Sequence, residues 1–403
     1  MRTQVAIVGA GPAGLVLAHL LGLQGIASVV LEHRSREYVE ARVRAGVLEQ
    51  GTIDVLRQMG VAERMDREGL QHSGLELRVD GQRHRIALTE LSKRAIMVYG
   101  QQEVVKDLIQ ARLDAAGQIL FDSQATAVAG LDTDRPRVLF LRDGLEEELE
   151  AEVVAGCDGF HGISRDAVPA GVLTVYDKEY PYAWLGILAA VPPSSDELIY
   201  VRHERGFALH SMRSPDISRL YLQVLVDDDL ANWSDDRIWE ELRLRFATRD
   251  GFVLESGPIQ EKSITAMRSF VVEPMHYGRL FLLGDAAHIV PPTGAKGMNL
   301  AVADASVLAR ALGEWYASGS TRGLDAYSET CLRRVWRAEH FSWWMTTMLH
   351  HHADDPFMDR LGLSNLRYVL SSEAAARTLA ENYVGLEVVE SLQSAVFSLQ
   401  SAG

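Results

Sequence analysis

Residues 4 to 32 constrain this chain more than any other stretch. Gln4 to Val8 is a short apolar run rich in β-branched residues, as a buried parallel strand requires. Gly9-Ala10-Gly11-Pro12-Ala13-Gly14 follows at once. Then come an apolar helical stretch from Leu15 to Leu23, a stop at Gly25, and a second strand, Ala27 to Leu31, ending in Glu32. In this strand–turn–helix–strand setting the G-x-G-x-x-G spacing has a physical meaning. Gly9 permits the tight turn, Gly11 lets the backbone approach a pyrophosphate, and Gly14 lets helix and strand pack closely. The helix amides then face the anion. Glu32 can accept hydrogen bonds from an adenosine ribose. The unit predicts a bound dinucleotide and does not separate FAD from NAD.

Composition excludes several other classes. A chain of 403 residues is long enough for two or three domains. Its net charge of −15 argues against a nucleic-acid partner. Two cysteines, Cys157 and Cys331, cannot build a disulfide framework or an all-cysteine zinc site, and a reducing compartment suits them. No secretory signal precedes the first strand, and the apolar stretch Leu15 to Leu23 is too short to span a bilayer. A cytoplasmic protein without a membrane partner is expected.

Further along, Ala45 to Met59 and Glu103 to Ala115 read as helices. Leu75 to Leu88, Arg137 to Leu141 and Glu150 to Ala155 read as strands. Residues 172 to 226 are rich in Val, Ile, Leu, Tyr and Trp, with turn signals at Pro192-Pro193 and Pro215-Asp216, and predict a strand-rich second domain. Gly278 to Asp285 returns to a buried strand meeting a glycine, and from Met298 onward the pattern is helical.

Two later motifs favour FAD. Cys157-Asp158-Gly159 follows an apolar strand, and Gly284-Asp285-Ala286-Ala287-His288 follows another. With the first fingerprint, in this order, they resemble the signature of FAD-dependent aromatic hydroxylases. Longer blocks sharpen the resemblance: Arg42 to Gly51, Tyr99-Gly100-Gln101, Gly206 to Leu209, Arg268 to Met275, Pro291 to Leu300, Phe341 to Met345 and Glu381 to Gly385. They are similar to the branch of that family that acts on 4-hydroxybenzoate, from residue 2 to about 386.

The resemblance implies an α/β fold, α+β overall. A Rossmann-type FAD-binding domain would comprise 1–72, 97–178 and 266–298, and a strand-rich substrate domain 73–96 and 179–265. A helical, interface-forming region would follow at 299–403. It implies that NAD(P)H reduces FAD, that a flavin hydroperoxide forms with dioxygen, and that 4-hydroxybenzoate becomes 3,4-dihydroxybenzoate in aromatic-compound degradation. It also implies a homodimer.

Residue by residue, the FAD positions implied are Gly9, Gly11, Gly14, Glu32, Arg42, Arg44, Gln101, Asp158, Arg219, Asp285, Gly297 and Asn299. Ser211, Arg213 and Tyr221 match the set that holds the substrate carboxylate, where a guanidinium fork suits two parallel charge-assisted bonds. Tyr200, Tyr383 and His72 match a proton relay from the substrate phenol to solvent. Tyrosine can both donate and accept, and histidine exchanges protons near neutrality. Pro292 matches a residue whose carbonyl borders that relay. His33, Arg34, Tyr38, Arg42, Arg44, His161 and Arg268 match the nicotinamide-cofactor stretch. NADPH-specific members often carry arginine where this chain has His33. Arg34 and Arg36 can serve a 2′-phosphate or form a solvated turn, and the balance leans to NADPH over NADH.

Unaided, several of these residues have plainer readings: Arg213 as a surface arginine, Tyr200 and Tyr383 as core tyrosines. His350-His351-His352 with Asp354 and Asp355 looks ligand-rich, but consecutive helical residues face different ways, so no metal is expected and a solvated turn ending a helix is. The tryptophans of the 336–344 helix are expected in a core or a subunit interface. The competing functional readings are a sister hydroxylase acting on 4-aminobenzoate or 3-hydroxybenzoate, and a non-catalytic FAD-fold binding protein.

Overall fold

The computed structural model describes residues 1–42 and 46–385. The fingerprint unit forms as its sequence dictates. Strand Val5–Val8 lies parallel between Ser28–Leu31 and Val153–Gly156. Leu280–Leu282 and Gln118–Leu120 extend the sheet on either side, and His276–Tyr277 completes six strands. All four residues of Val5–Val8 are buried, in a core that also takes in Val138, Phe140 and Leu149 of a separate three-stranded antiparallel sheet. Helix Pro12–Leu23 packs against helices Gln101–Asp114 and Gly297–Ser318. The last of these is far away in sequence, so three separate stretches of chain build this one layer.

The second sheet has eight strands, in the order His288–Ile289, Ile259–Glu273, Thr174–Ala189, Ile217–Leu225, Ala208–Ser214, Leu198–Val201, Leu75–Val79 and Gln82–Ile86. Alternation along these strands sorts residues onto two faces. Ala183, Leu185, Ile187, Ile199, Val201, Leu220 and Leu222 pack under helix Asp235–Phe246. Trp184, Leu198, Tyr200, Phe207 and Leu209 point the other way, into a core shared with helices Tyr327–Leu349, Pro356–Ser371 and Glu373–Val384. That second face carries the candidate substrate residues.

Three local expectations change. Leu75 to Leu88 is not one strand but a hairpin, Leu75–Val79 and Gln82–Ile86, turned at Asp80-Gly81 with φ of +54° and +70°. Asp-Gly is a strong two-residue turn signal because both positions must enter the left-handed region. Glu150 to Ala155 divides between Leu145–Glu150 and Val153–Gly156, which belong to different sheets. The helix expected from Ala45 begins at Gln50, after a short strand, Val47–Leu48.

Candidate active site

The glycine turn meets the steric conditions for a dinucleotide. A Cβ on Gly9, whose φ is +105°, would lie 2.4 Å from the Cys157 carbonyl oxygen. One on Gly14 would lie 2.1 Å from the Gly9 carbonyl oxygen. A Cβ on Gly11 would meet nothing within 4 Å, so the backbone here borders open space where a pyrophosphate can approach. The buried Glu32 carboxylate stands at the same turn, accepting from Ala10 N at 2.8 Å and Arg34 N at 2.9 Å.

Two other FAD candidates lie on turns that adjoin this segment: Asp158 backs onto Gly9, and Gly284, before Asp285, packs on Ala13. Asp285 is exposed on the 3-10 turn Gly284–Ala286. The turn is held from behind by buried Asp304, which accepts from Gly284 N at 3.0 Å and pairs with His288 at 2.7 Å. Asp158 accepts from both the backbone N and the Oγ of Ser164 at 2.9 Å, leaving Oδ1 buried with no partner. Burial raises its pKa. Gln101 opens its helix and is half-buried. Gly297 opens a 22-residue helix and also faces open space, so positive dipole potential and free amides converge there. Arg42 is exposed, and Arg44 lies outside the described residues.

Asn299 differs from the others. Its Oδ1 accepts from Glu49 N at 3.0 Å and Thr52 Oγ1 at 2.7 Å, while its amide donates to the Val47 and Ala295 carbonyls. The side chain is saturated and clamps the 47–52 segment to the helix start, so any contact with a flavin falls to its backbone.

On the second sheet, Leu209 pairs with both Tyr200 and Tyr221, and Ser211 with Arg219. Cross-strand partners share a face. Arg213 Nη1 reaches Ser211 Oγ at 3.2 Å and the Met212 carbonyl at 2.9 Å, but its Nε is buried without a partner. Burial lowers its pKa. Arg219 lies over the Tyr221 ring at 5.3 Å, with Nη1 likewise unpartnered. Among the described residues no carboxylate pairs with either guanidinium. Gly186, mid-strand, leaves the room: a Cβ there would meet Arg219 Nη2 at 2.8 Å.

Tyr200 and Tyr383 are both buried, with hydroxyl oxygens 2.6 Å apart, although 183 residues separate them. Burial raises the pKa of each. The carbonyl within reach of Tyr200 is that of Thr293, at 3.4 Å, while Pro292's carbonyl accepts from Ala295 N. His72 is buried with both ring nitrogens unbonded, and no direct bond joins it to either tyrosine. Burial pushes its pKa down to about 4, against the pull of Glu197 and Asp196.

The nicotinamide candidates fall in two groups. His33, 3.0 Å from Glu32, lies near Arg34, whose guanidinium sits 5.0 Å from the exposed Tyr38 ring. His161 packs on Phe160, and Arg268 lies over the same ring at 5.0 Å. Arg268 is already paired with Asp177 at 3.1 Å and with Glu179.

The triple histidine is not the expected solvated turn. The Tyr327–Leu349 helix does end there, but His350 is fully buried among Tyr182, Phe207 and Trp184. His351 pairs with Asp359 at 2.8 Å. Trp336 and Trp343 are 40% and 38% exposed. Sequence reasoning missed Thr293, Trp184, Gly186, His350 and Asp304 as site builders. It also missed buried Lys296, which pairs with Glu49 and donates to the Tyr383 carbonyl at 3.1 Å. Gly186 had a local signal, a glycine inside a strand; the others had none.

A glycine cradle on one sheet, with unpartnered guanidinium nitrogens and a buried tyrosine pair at the other, is the arrangement of a dinucleotide-binding protein with a second ligand site. A family model described as FAD binding domain matches residues 2–342. The p-hydroxybenzoate hydroxylase of Acinetobacter baylyi is 50% identical over 388 residues, covering 96% of each chain. The crystal structure of p-nitrophenol 4-monooxygenase PnpA from Pseudomonas putida superposes with a TM-score of 0.82 at 20% identity, covering 95% of this chain and 99% of that one. The anhydrotetracycline hydroxylase OxyS from Streptomyces rimosus superposes with a TM-score of 0.75 at 21% identity, covering 95% and 76%. The chain belongs to the flavoprotein aromatic hydroxylases. It is an FAD-dependent monooxygenase with NAD(P)H as co-substrate. Among the described residues no helix is long and apolar enough to cross a membrane.

Proposed function

We propose that this enzyme hydroxylates 4-hydroxybenzoate ortho to its phenol, giving 3,4-dihydroxybenzoate and water. The observation that carries the reading is the pair of unsatisfied guanidinium nitrogens, Arg213 Nε and Arg219 Nη1, on the sheet face that also bears the Tyr200–Tyr383 pair. Buried Arg219 and half-buried Arg213, neither paired with a carboxylate among the described residues, call for an anionic ligand. Ser211 lies two residues from Leu209, the partner of Tyr200. Two residues of strand are roughly 7 Å, a span that a para-substituted benzene ring bridges.

In this reading Arg213, Ser211 and Tyr221 hold the carboxylate. Tyr200 accepts the phenol proton and passes it to Tyr383, and His72 exchanges it with solvent, with Pro292 and Thr293 bordering the ring. A phenol titrates near ~10, so a proton acceptor at this end is what makes the ring electron-rich near neutral pH. FAD, held by Gly9, Gly11, Gly14, Glu32, Asp158, Asp285, Arg42, Arg44, Gln101, Arg219 and the Gly297–Asn299 helix start, supplies the oxygen-transfer chemistry when reduced. His33, Arg34, Tyr38, His161 and Arg268, with Arg42 and Arg44, bind the nicotinamide donor, with NADPH preferred. The partly exposed Trp336 and Trp343 support a homodimer.

The test is substrate-stimulated NAD(P)H oxidation by the purified yellow protein, with product analysis. Stoichiometric 3,4-dihydroxybenzoate is expected. Consumption that yields only hydrogen peroxide would transfer the reading to another benzoate. A higher kcat/KM with NADH would reverse the donor preference.

A further inference from the structure

We propose that His350 is a positioning residue that holds the two ends of the substrate pocket in register; the inference rests on the pocket reading above. His350 follows the last turn of the Tyr327–Leu349 helix and is 0% exposed. Its Nδ1 lies 2.9 Å from the Thr346 carbonyl, which can only accept, so this nitrogen carries the hydrogen. Its Nε2 lies 2.7 Å from the indole nitrogen of Trp184, which can only donate, so this nitrogen is bare. The two partners therefore select one neutral tautomer.

Each bond leads to a different end of the pocket. Trp184 stacks on Phe207 at 5.1 Å and tilts onto Tyr221 at 4.8 Å, the carboxylate end. On the other side, the Thr346 hydroxyl lies 2.8 Å from that of Thr293, whose carbonyl faces the Tyr200 hydroxyl at 3.4 Å, the phenol end. The imidazole also stacks on Phe207 at 4.5 Å, between the two arms. A core histidine kept only for packing would need neither directional bond, since a phenylalanine fills the same stack. Here a shift of the ring moves Trp184 and the Thr346 turn together, and with them the groups that grip the two ends of the ring.

His350→Phe, His350→Gln and Trp184→Phe, each isolated with FAD bound, test this. His350→Phe keeps the stack but leaves the indole N–H unpaired. It is expected to raise the dissociation constant of 4-hydroxybenzoate about tenfold and to divert NAD(P)H oxidation toward hydrogen peroxide. His350→Gln offers an acceptor to the indole and should recover most of the affinity. The Trp184→Phe/His350→Phe double variant should lose less affinity than the two single losses combined, because the indole contact is removed in both. Wild-type affinity and coupling in His350→Phe, or additive losses in the double variant, would overturn the proposal. Should His350→Phe not fold, wild-type affinity and coupling in both His350→Gln and Trp184→Phe overturn it, and a loss in Trp184→Phe spared in His350→Gln upholds it. A wild-type protein that ignores 4-hydroxybenzoate but binds another benzoate through Arg213 would fail the substrate reading while leaving His350 testable with that ligand.

Discussion

The two sheets solve different problems. The six-stranded, mostly parallel sheet offers a cofactor backbone: a glycine turn and a helix start bordering open space. In the proposed reading the eight-stranded sheet meets a substrate with side chains: two guanidiniums, the Tyr200 hydroxyl and an aromatic layer, with the Tyr383 hydroxyl added by an overlying helix. Backbone recognition depends on where a Cβ can fit, which is decided by residues close in sequence or in adjacent strands. Side-chain recognition depends on which distant segments meet. The first kind of site breaks all at once, whereas the second degrades one contact at a time.

Gly9→Ala is the largest break expected. The methyl group would collide with the Cys157 carbonyl at 2.4 Å, at a φ that alanine rarely adopts. The purified protein should lack flavin absorbance. Gly11→Ala sharpens the contrast, because its methyl meets no protein atom. It should keep the apoprotein's melting temperature and still bind FAD poorly; a drop in apoprotein stability would show that the turn, not the ligand, needs that glycine.

Arg213→Ala comes next. Arg213 is half-buried with its Nε enclosed, so losing its proposed bond to the carboxylate should cost about 2–4 kcal/mol, or roughly 30- to 1,000-fold in the substrate dissociation constant. Flavin content should not change. An unaltered dissociation constant, measured by flavin spectral titration, would place the carboxylate elsewhere.

Tyr200→Phe tests the other end. It keeps the ring but removes one of two hydroxyls 2.6 Å apart. Substrate should still bind, while the rate of hydroxylation falls by about 100-fold, the scale of a lost acid–base group. Product yield equal to wild type would take Tyr200 out of the proton path.

The smallest effect concerns stability. Burial pushes the His350 pKa down to about 3 from an ordinary value of 6.5, with His352 and Arg202 adding repulsion and the Thr346 carbonyl opposing them. As pH falls below 6.5 the unfolded chain binds a proton that the folded chain refuses, so stability declines down to about pH 3. His72 and His210 act in the same direction, and His350→Gln leaves both in place. The stability gap between wild type and His350→Gln should therefore narrow between about pH 7 and about pH 4, read from urea midpoints. A constant gap would mean that His350 is not held neutral.

The sequence by itself determined the βαβ unit, the glycine positions and the acid at the second strand end, because turn sterics and strand burial act over a few residues. It also marked the 172–226 stretch as strand-rich, through β-branched and aromatic content. It misread Leu75 to Leu88 as one strand because the run stays regular on both sides of the Asp80-Gly81 turn. Only the tertiary structure decided which side chains share a pocket. Tyr383 meets Tyr200 because the last described helix lies over the second sheet. Asn299 is saturated because a segment 250 residues earlier folds against it. His350 is a neutral core residue rather than part of a solvated turn because the helix end is driven into the aromatic layer. A histidine's charge depends on the solvent it loses and the partners it meets, and neither is written next to it in the chain.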